Sequence, residues 1–337
     1  MTLADSTCRV RREDLFLFIL VIMLIHFITL AATPASAQTL QKIKIGIPAV
    51  NVLTKPFFIG QDLGFFRQEG LDAEFPFVRP ELGAAGLVKG EIDYFASGDT
   101  TLRAAAGGLP VKLIFAMADH GDLALVVRSD IQKGTDLKGK KIAVASPRTL
   151  PSVAMMESAR RYGLDPLKDI FLVSVGDLLP RYQALQAGAV DGMVVDTALA
   201  IMARNKGYKI LDPMWQWMDL VQIGLGVNDR VLKQNPDFVY RTLKASLRSL
   251  VHVRTHSAEM IKAIQSVREV NDEEAKFVYD IIVQNMTANG IPSNRSVQVS
   301  LDAIKADNPD KKIPTIDEVV DFGLLRRAQR ELGIKAP

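Results

Sequence analysis

Hydroxyl, amide and basic side chains follow three short apolar runs of the sequence, where a strand would give way to a helix. They fall in three groups: Asn51, Thr54 and Lys55; Ser97, Gly98 and Thr100; and Ser146, Arg148 and Thr149. In α/β proteins, ligands bind in the crevice at the carboxyl ends of parallel strands. Such residues also cap helices routinely, and one residue can do both. The pattern predicts a site for a small polar ligand.

Two basic residues of this set favour a negatively charged ligand. Lys55 and Arg148 each stand beside a predicted helix start, where free N–H groups also attract anions. The alternative for Arg148 is a solvated surface side chain. The two cations together therefore favour an organic anion.

Three further residues complete the predicted ligand set. Phe57 follows the first polar loop, and Asp196 ends a later apolar run. Capping of the next helix is the favoured alternative for Asp196. Trp215 would wall an apolar pocket, although packing in the core is the commoner use of such a residue.

Metal binding and catalysis have little support in the residue pattern. His252 and His256 are four positions apart, a spacing that can hold a metal on a helix, but the sequence places no third ligand. An exposed helix face is the favoured interpretation. No nucleophile, base and orienting acid stand in a readable order. We therefore predict no catalytic residue, no metal site and no cofactor.

The elements that carry the polar loops begin with a strand, loop and helix unit at residues 43–72. Ile43, Ile45 and Ile47 alternate as in a half-buried strand, and a helix follows from Pro56 to Gly70. Glycines at 60 and 64 would let one face of that helix pack closely on a sheet.

The same pattern returns from Ile142. Gly70, Leu71 and Asp72 match Gly163, Leu164 and Asp165. The separation in sequence between Ile43 and Asp93 is nearly the same as that between Ile142 and Asp191. This internal repeat predicts two similar α/β lobes that hold a ligand between them.

Residues 1–37 have the composition of a signal peptide. A basic region with Arg11 and Arg12 precedes an apolar stretch, and Ala35-Ser36-Ala37 resembles a cleavage site. The minor alternative is a retained N-terminal membrane anchor. Cleavage would remove Cys8, the only cysteine, and with it any disulfide or thiol chemistry. We expect a periplasmic protein.

The charge pattern of the chain gives no support for a nucleic-acid partner. The net charge is +3, and removal of residues 1–37 takes away equal numbers of basic and acidic residues. No basic run or RNA-type aromatic motif is present.

The predicted domains follow from these patterns. The first lobe takes residues 38–122 and 228–337, the second takes 128–221, and the crossings between the lobes take 123–127 and 222–227. The first lobe ends in a helical C-terminal extension, with helices predicted at residues 237–257, 258–270, 272–287, 297–306 and 316–332.

An ordered set of residues resembles the periplasmic substrate-binding proteins of the nitrate, sulfonate and taurine class of ABC importers. This class is also similar to the thiamine-pyrimidine synthesis proteins. The matching residues lie between about 42 and 230 and are Pro56, Leu63 to Phe66, Glu69 to Asp72, Gly90, Ile92, Asp93, Asp136 to Lys141, Ala184, Leu185, Gly188, Val190 and Asp191.

The resemblance implies a two-lobed periplasmic-binding-protein fold of type II with two crossing segments. It further implies that closure of the lobes traps a small molecule for delivery to a membrane permease. We expect a monomer. The alternatives are a sensor or chemoreceptor partner that uses the same cleft, and an enzyme like the pyrimidine-synthesis proteins. Those enzymes use a cysteine-rich segment, which residues 38–337 lack.

Overall fold

The alternating run at residues 43–47 forms the strand that the sequence predicts. Ile43, Ile45 and Ile47 are buried, whereas Lys42 and Lys44 point to solvent. The computed structural model describes residues 39–147, 149–307, 310 and 312–335. The predicted signal peptide and Arg148 lie outside these residues.

The first lobe is built on a five-stranded mixed sheet in the order β2-β1-β3-β10-β4. β1 runs parallel to β2 and β3, whereas β10 is antiparallel to both β3 and β4. Its strands are β1 (Gln41–Gly46), β2 (Leu71–Glu74), β3 (Tyr94–Phe95), β4 (Val111–His120) and β10 (Asp219–Asn228).

The second lobe is built on a sheet of the same design, in the order β7-β6-β8-β5-β9. β6 is parallel to β7 and β8, and β5 is antiparallel to β8 and β9. Its strands are β5 (Leu123–Val127), β6 (Lys140–Val144), β7 (Ile170–Ser174), β8 (Gly192–Asp196) and β9 (Lys209–Asp212). The two-lobed α/β architecture is thus confirmed.

The internal repeat has a shared structural basis in two equivalent turns. The carboxylate of Asp93 accepts a hydrogen bond from the backbone N–H of Lys44 at 2.8 Å, and Asp191 accepts one from Lys141 at 2.9 Å. In each lobe the acid therefore ties the start of the third parallel strand to the first.

The crossings lie beside the predicted segments rather than within them. Residues 123–127 form β5 of the second sheet, and residues 222–227 belong to β10 of the first sheet. The chain passes between the sheets at residues 121–122 and 213–218. The physical reason is that both apolar runs are fully buried and pair with strands on each side.

Helices cover both sheets. The first lobe carries α1 (Lys55–Asp62), α2 (Phe65–Gln68), α3 (Pro80–Lys89) and α4 (Gly98–Ala106). The second lobe carries α5 (Leu150–Arg161), α6 (Leu178–Gln186) and α7 (Thr197–Asn205). The C-terminal region carries α8 (Asp229–Gln234), α9 (Pro236–Thr255), α10 (Ser257–Val267), α11 (Asp272–Asn285), α12 (Asn294–Asp307), α13 (Ile316–Val319) and α14 (Gly323–Glu331).

Two predicted helices are interrupted. The helix expected from Pro56 to Gly70 breaks at Gly64, which adopts a left-handed φ of 74°. The helix expected at residues 316–332 breaks at Val320, which is extended and bridges to Leu113 of β4. In both cases a local backbone feature ends a pattern that continues in the sequence.

Gly60 explains how α1 packs against the C-terminal region. A Cβ atom at this position would lie 1.8 Å from the Ser249 hydroxyl oxygen of α9, so no larger residue fits without a shift of the helices. The close approach that the sequence predicted for Gly60 is therefore made with a helix.

Candidate functional site

The polar loops of the two lobes meet at one edge of the molecule. The Ser146 hydroxyl, after β6, donates a hydrogen bond of 3.3 Å to the carboxylate of Glu81 in the first turn of α3. We use "the cleft" for the region between the first-lobe segments 47–55 and 96–100 and the second-lobe segment 145–152. The contact joins the loop after β6 to the start of α3. That segments 47–55 and 96–100 face the same loop stays a prediction.

Asn51 and Thr54 form a reciprocal cap. The Asn51 side chain accepts from the Thr54 backbone N–H, and the Thr54 hydroxyl oxygen accepts from the Asn51 N–H, both at 3.1 Å. The Thr54 hydroxyl, which is buried, also lies 2.9 Å from the Asn51 carbonyl oxygen. These two side chains fix the loop after β1, and a direct contact with ligand stays a prediction.

Phe57 lies in the core of the first lobe. Its side chain is buried, and its ring centroid is 6.5 Å from that of Phe75. The side chain packs α1 onto the core of the first lobe. Its contact with a ligand stays a prediction.

Lys55 is the first residue of α1 and is only partly buried. Its ammonium lies 5.7 Å from the centroid of the Phe58 ring, and it forms no ion pair with any of the described residues. Burial lowers the pKa of Lys55, against the opposing effect of Asp62. A cation at a helix N-terminus is also disfavoured by the helix dipole. An anion bound beside Lys55 would offset both costs.

Ser97 and Thr100 lie together at the start of α4. The Ser97 hydroxyl donates to the Thr100 hydroxyl oxygen at 2.9 Å, and neither fills the cap of the helix. The first N–H groups of a helix lack partners within it, so the start of α4 offers both hydroxyl and backbone N–H donors.

Gly98 is required by packing at the same helix start. A Cβ atom there would lie 2.4 Å from Cγ1 of Val221 and 2.5 Å from the Val221 carbonyl oxygen on β10. The glycine therefore lets α4 rest directly on β10.

The loop after β6 folds around one carbonyl group. The carbonyl oxygen of Ser146 accepts from the hydroxyls of Thr149 and Ser152, each at 2.6 Å. This arrangement places the start of α5 at the cleft. Arg148, the predicted basic residue of this loop, lies outside the described residues.

Asp196 caps α7, as the favoured sequence interpretation holds. One carboxylate oxygen accepts from the Leu199 N–H at 2.7 Å, and the other accepts from the guanidinium of Arg268 at 2.7 Å. The side chain is only 3% exposed. Both oxygens are thus engaged within the protein.

Trp215 is partly buried and packs against the apolar cluster of the second lobe that contains Tyr182 and Leu199. Trp217 packs on the opposite cluster, where its indole N–H donates to Asp212 at 2.9 Å. The core-packing interpretation agrees with this placement, and a ligand contact from Trp215 stays a prediction.

The two histidines of α9 and its C-terminal end stack on each other. The ring centroids of His252 and His256 are 4.2 Å apart. In the part of the chain that the structure describes, no group of three or more His, Cys, Asp or Glu residues could hold a metal ion.

A buried charged cluster at the first crossing escaped the sequence reasoning. It consists of Asp122, Arg181, Asp196 and Arg268. Burial, together with the negative charge of the neighbouring Asp196, raises the pKa of Asp122 to about 8. Burial lowers the pKa of Arg181 to about 10. The sequence signal that points to this cluster is the polar stretch at residues 119–122, Asp-His-Gly-Asp, just before the apolar run of β5.

None of the helices within the described ranges combines the length and the apolar composition of a bilayer-spanning segment.

Comparison with known proteins places the chain in a family. The family model described as "NMT1/THI5 like" matches residues 51–260, which is more than half of the chain. The riboflavin-binding protein RibY of Chloroflexus aurantiacus is 22% identical over 236 residues. That match covers 66% of this chain and 65% of RibY, so just under two thirds of the relative is spanned.

Two solved structures have the same fold. The putative periplasmic sulfonate-binding protein SsuA of Methylobacillus flagellatus KT has a TM-score of 0.67 at 20% identity, covering 88% of this chain and 96% of SsuA. The periplasmic nitrate-binding protein NrtA of Synechocystis PCC 6803 has a TM-score of 0.70 at 18% identity, covering 88% and 90%. The periplasmic-binding-protein fold is therefore confirmed, and the chain belongs to the NMT1/THI5-like family.

Proposed function

We propose that this chain is an extracytoplasmic solute-binding protein that captures a small organic molecule in the cleft and delivers it to the permease of an ABC importer. The observation that carries the proposal is Lys55. Its ammonium, in the loop after β1 of the first lobe, is partly buried and has no ion pair among the described residues. We infer that it faces the loop after β6 across the cleft. Such an arrangement is costly unless a ligand compensates it.

The ligand that suits this cleft is an organic anion such as a sulfonate or carboxylate. Lys55 supplies the positive charge, and the starts of α4 and α5 supply hydroxyl and N–H donors. We assign direct contacts to Lys55, Ser97, Thr100, Ser146 and Thr149. Arg148 would add a second cation from the opposite lobe.

The named ligands of the relatives support this class without fixing one compound. SsuA is named for sulfonate and NrtA for nitrate, both anions, whereas RibY is named for riboflavin, an aromatic ring system. A screen therefore has to contain anions and heterocycles.

The remaining parts of the proposal follow from the same function. The chain would reach the periplasm through a cleaved signal peptide at residues 1–37 and act there as a monomer. It would bind without catalysis, because residues 38–337 contain no cysteine for the chemistry of the pyrimidine-synthesis relatives.

A thermal-shift screen of the exported protein tests the proposal. Alkanesulfonates, small carboxylates, nitrate, riboflavin and organic cations are compared at matched concentrations. A true ligand stabilises by mass action, by about 2.7 kcal/mol at a hundred times its dissociation constant. We expect a saturable rise of the midpoint with one or more anions. A response confined to cations would contradict the assigned ligand class, and no response to any compound would contradict the assigned function.

A further inference from the structure

The two lobes are joined by more than the two crossings. Ala198 and Ile201 of α7, a helix of the second lobe, are buried in the same apolar cluster as Ile264 of α10 and Val278 of α11. The amide of Asn205 also donates to the carboxylate of Glu274 in α11. We call this contact of α7 with the C-terminal helices "the seam". Any movement of one lobe against the other must act on it.

A buried ion pair lies in the seam at the N-terminal end of α7. The Arg268 guanidinium, just after α10, donates to the Asp196 carboxylate at 2.7 Å, and the two side chains are 8% and 3% exposed. Asp196 at the same time caps α7 through Leu199. Arg268 therefore holds the start of α7, and with it the carboxyl end of β8, against the C-terminal region.

The first crossing is fixed on the side of the first lobe. The Gly121 N–H donates to the Met218 carbonyl at 2.8 Å, and the Asn285 amide donates to the Gly121 carbonyl at 3.1 Å. The Asp122 N–H donates to the Gln222 side chain at 2.6 Å. The Asp122 carboxylate then accepts from the Thr197 N–H at 3.1 Å. A lobe movement must alter the exposed contacts Ser146–Glu81 and Asn205–Glu274. The buried polar contacts that it must alter lie at Asp122, Asp196, Thr197 and Arg268.

This cluster is incompletely satisfied. Nε of Arg268 is buried without a hydrogen-bond partner among the described residues. The Thr197 hydroxyl and the second carboxylate oxygen of Asp122 are also buried, and the two groups interact without a hydrogen bond of good geometry. Poorly paired buried polar atoms raise the free energy of the arrangement. An ion pair in such surroundings is suited to a contact that forms and breaks.

We propose that Arg268 is a positioning residue that latches the second lobe onto the C-terminal helices through Asp196, and so sets the balance between open and closed cleft. The inference rests on the proposed capture of ligand by lobe closure. It concerns the protein without ligand, so it can fail independently of the ligand assignment.

The test measures the distance between the lobes by double electron–electron resonance. Spin labels are placed at L82C in α3 and L179C in α6, whose side chains are exposed. C8S removes the only native cysteine of the full chain. The latch variant is R268M, and D196N/R268M removes the charge of both partners while an asparagine still caps α7. K262M, at an exposed lysine of α10, is the matched control.

We expect one short distance in the parent and in K262M, and a second, longer population in R268M. In D196N/R268M the longer population should persist while the thermal midpoint returns towards that of the parent, which a merely structural role would not produce. If R268M fails to fold, the distances in D196N/R268M provide the test instead. Parental distances in the double variant, or an equal change in K262M, would overturn the proposal.

Discussion

At the scale of single residues, some polar groups of the cleft form hydrogen bonds that fix their own loop, and others remain available to a ligand. Thr54 and Asn51 satisfy each other, whereas Lys55, one position further, has no ion pair among the described residues. The sequence could place all three after a strand, but it could not separate these roles, because caps and ligand contacts use the same residue types. Arg268 was not predictable, since its partner lies 72 positions away.

Replacing Lys55 by methionine tests the residue that carries the proposed function. Burial lowers the pKa of Lys55, so its charge does not stabilise the fold, and the midpoint of unliganded K55M should not fall. Affinity for an anion found in the screen should fall at least about tenfold, since a hydrogen bond to a charged group contributes roughly 1.5–3 kcal/mol. Titration calorimetry measures the affinity. K89M, at an exposed lysine of α3, is the control. Equal affinities in K55M and K89M would contradict the role of Lys55.

At the scale of elements, the repeated units were predictable and the strands beside the crossings were not. β1 and β6 follow local patterns, in which apolar residues precede a polar loop and glycines such as Gly70 and Gly163 take positive φ. β5 is apolar throughout, and β10 is mostly apolar; both are buried on both faces, so no alternation marks them. Their place in each sheet depends on strands far away in the sequence. A local pattern carries no information about such pairing.

The junction of α4 with β10 yields a prediction for Gly98. G98A should lower the free energy of unfolding by about 1–3 kcal/mol, because the added methyl group meets Val221 and overpacks the junction. G323A, at the first position of α14, is the matched control, since a Cβ there meets only a side-chain oxygen of Asp321 at 3.2 Å. Urea unfolding of both variants measures the difference. The packing explanation would be wrong if G98A were as stable as G323A.

At the scale of the whole molecule, the buried cluster links stability to pH. The folded chain holds a proton on Asp122 up to a pKa of about 8, whereas an unfolded aspartate releases it near 3.9. Between these values the folded state binds the extra proton, so the free energy of unfolding falls as pH rises. The charged groups that face Asp122 are Asp196, which opposes its ionisation, and Arg268, which favours it.

D122N should remove this dependence. Asparagine has the shape of the protonated side chain and does not titrate, so the midpoint of the variant should fall less than that of the parent between about pH 5 and 8. Thermal unfolding across this range gives the comparison. D317N, at an exposed carboxylate, should follow the parent curve. Parallel curves for the parent and D122N would show that Asp122 is ionised in the folded state.

The position of β10 also sets an order of assembly. The second sheet uses only residues 123–212, which are contiguous, whereas the first sheet needs β10 between β3 and β4 before it is complete. A chain that is synthesised from its N-terminus can therefore form the second lobe while the first lobe still lacks β10. The first sheet can be completed only after residues 219–228 have been synthesised. Until then the edges of β3 and β4 that will pair with β10 are unpaired, and these edges are the most prone to aggregation.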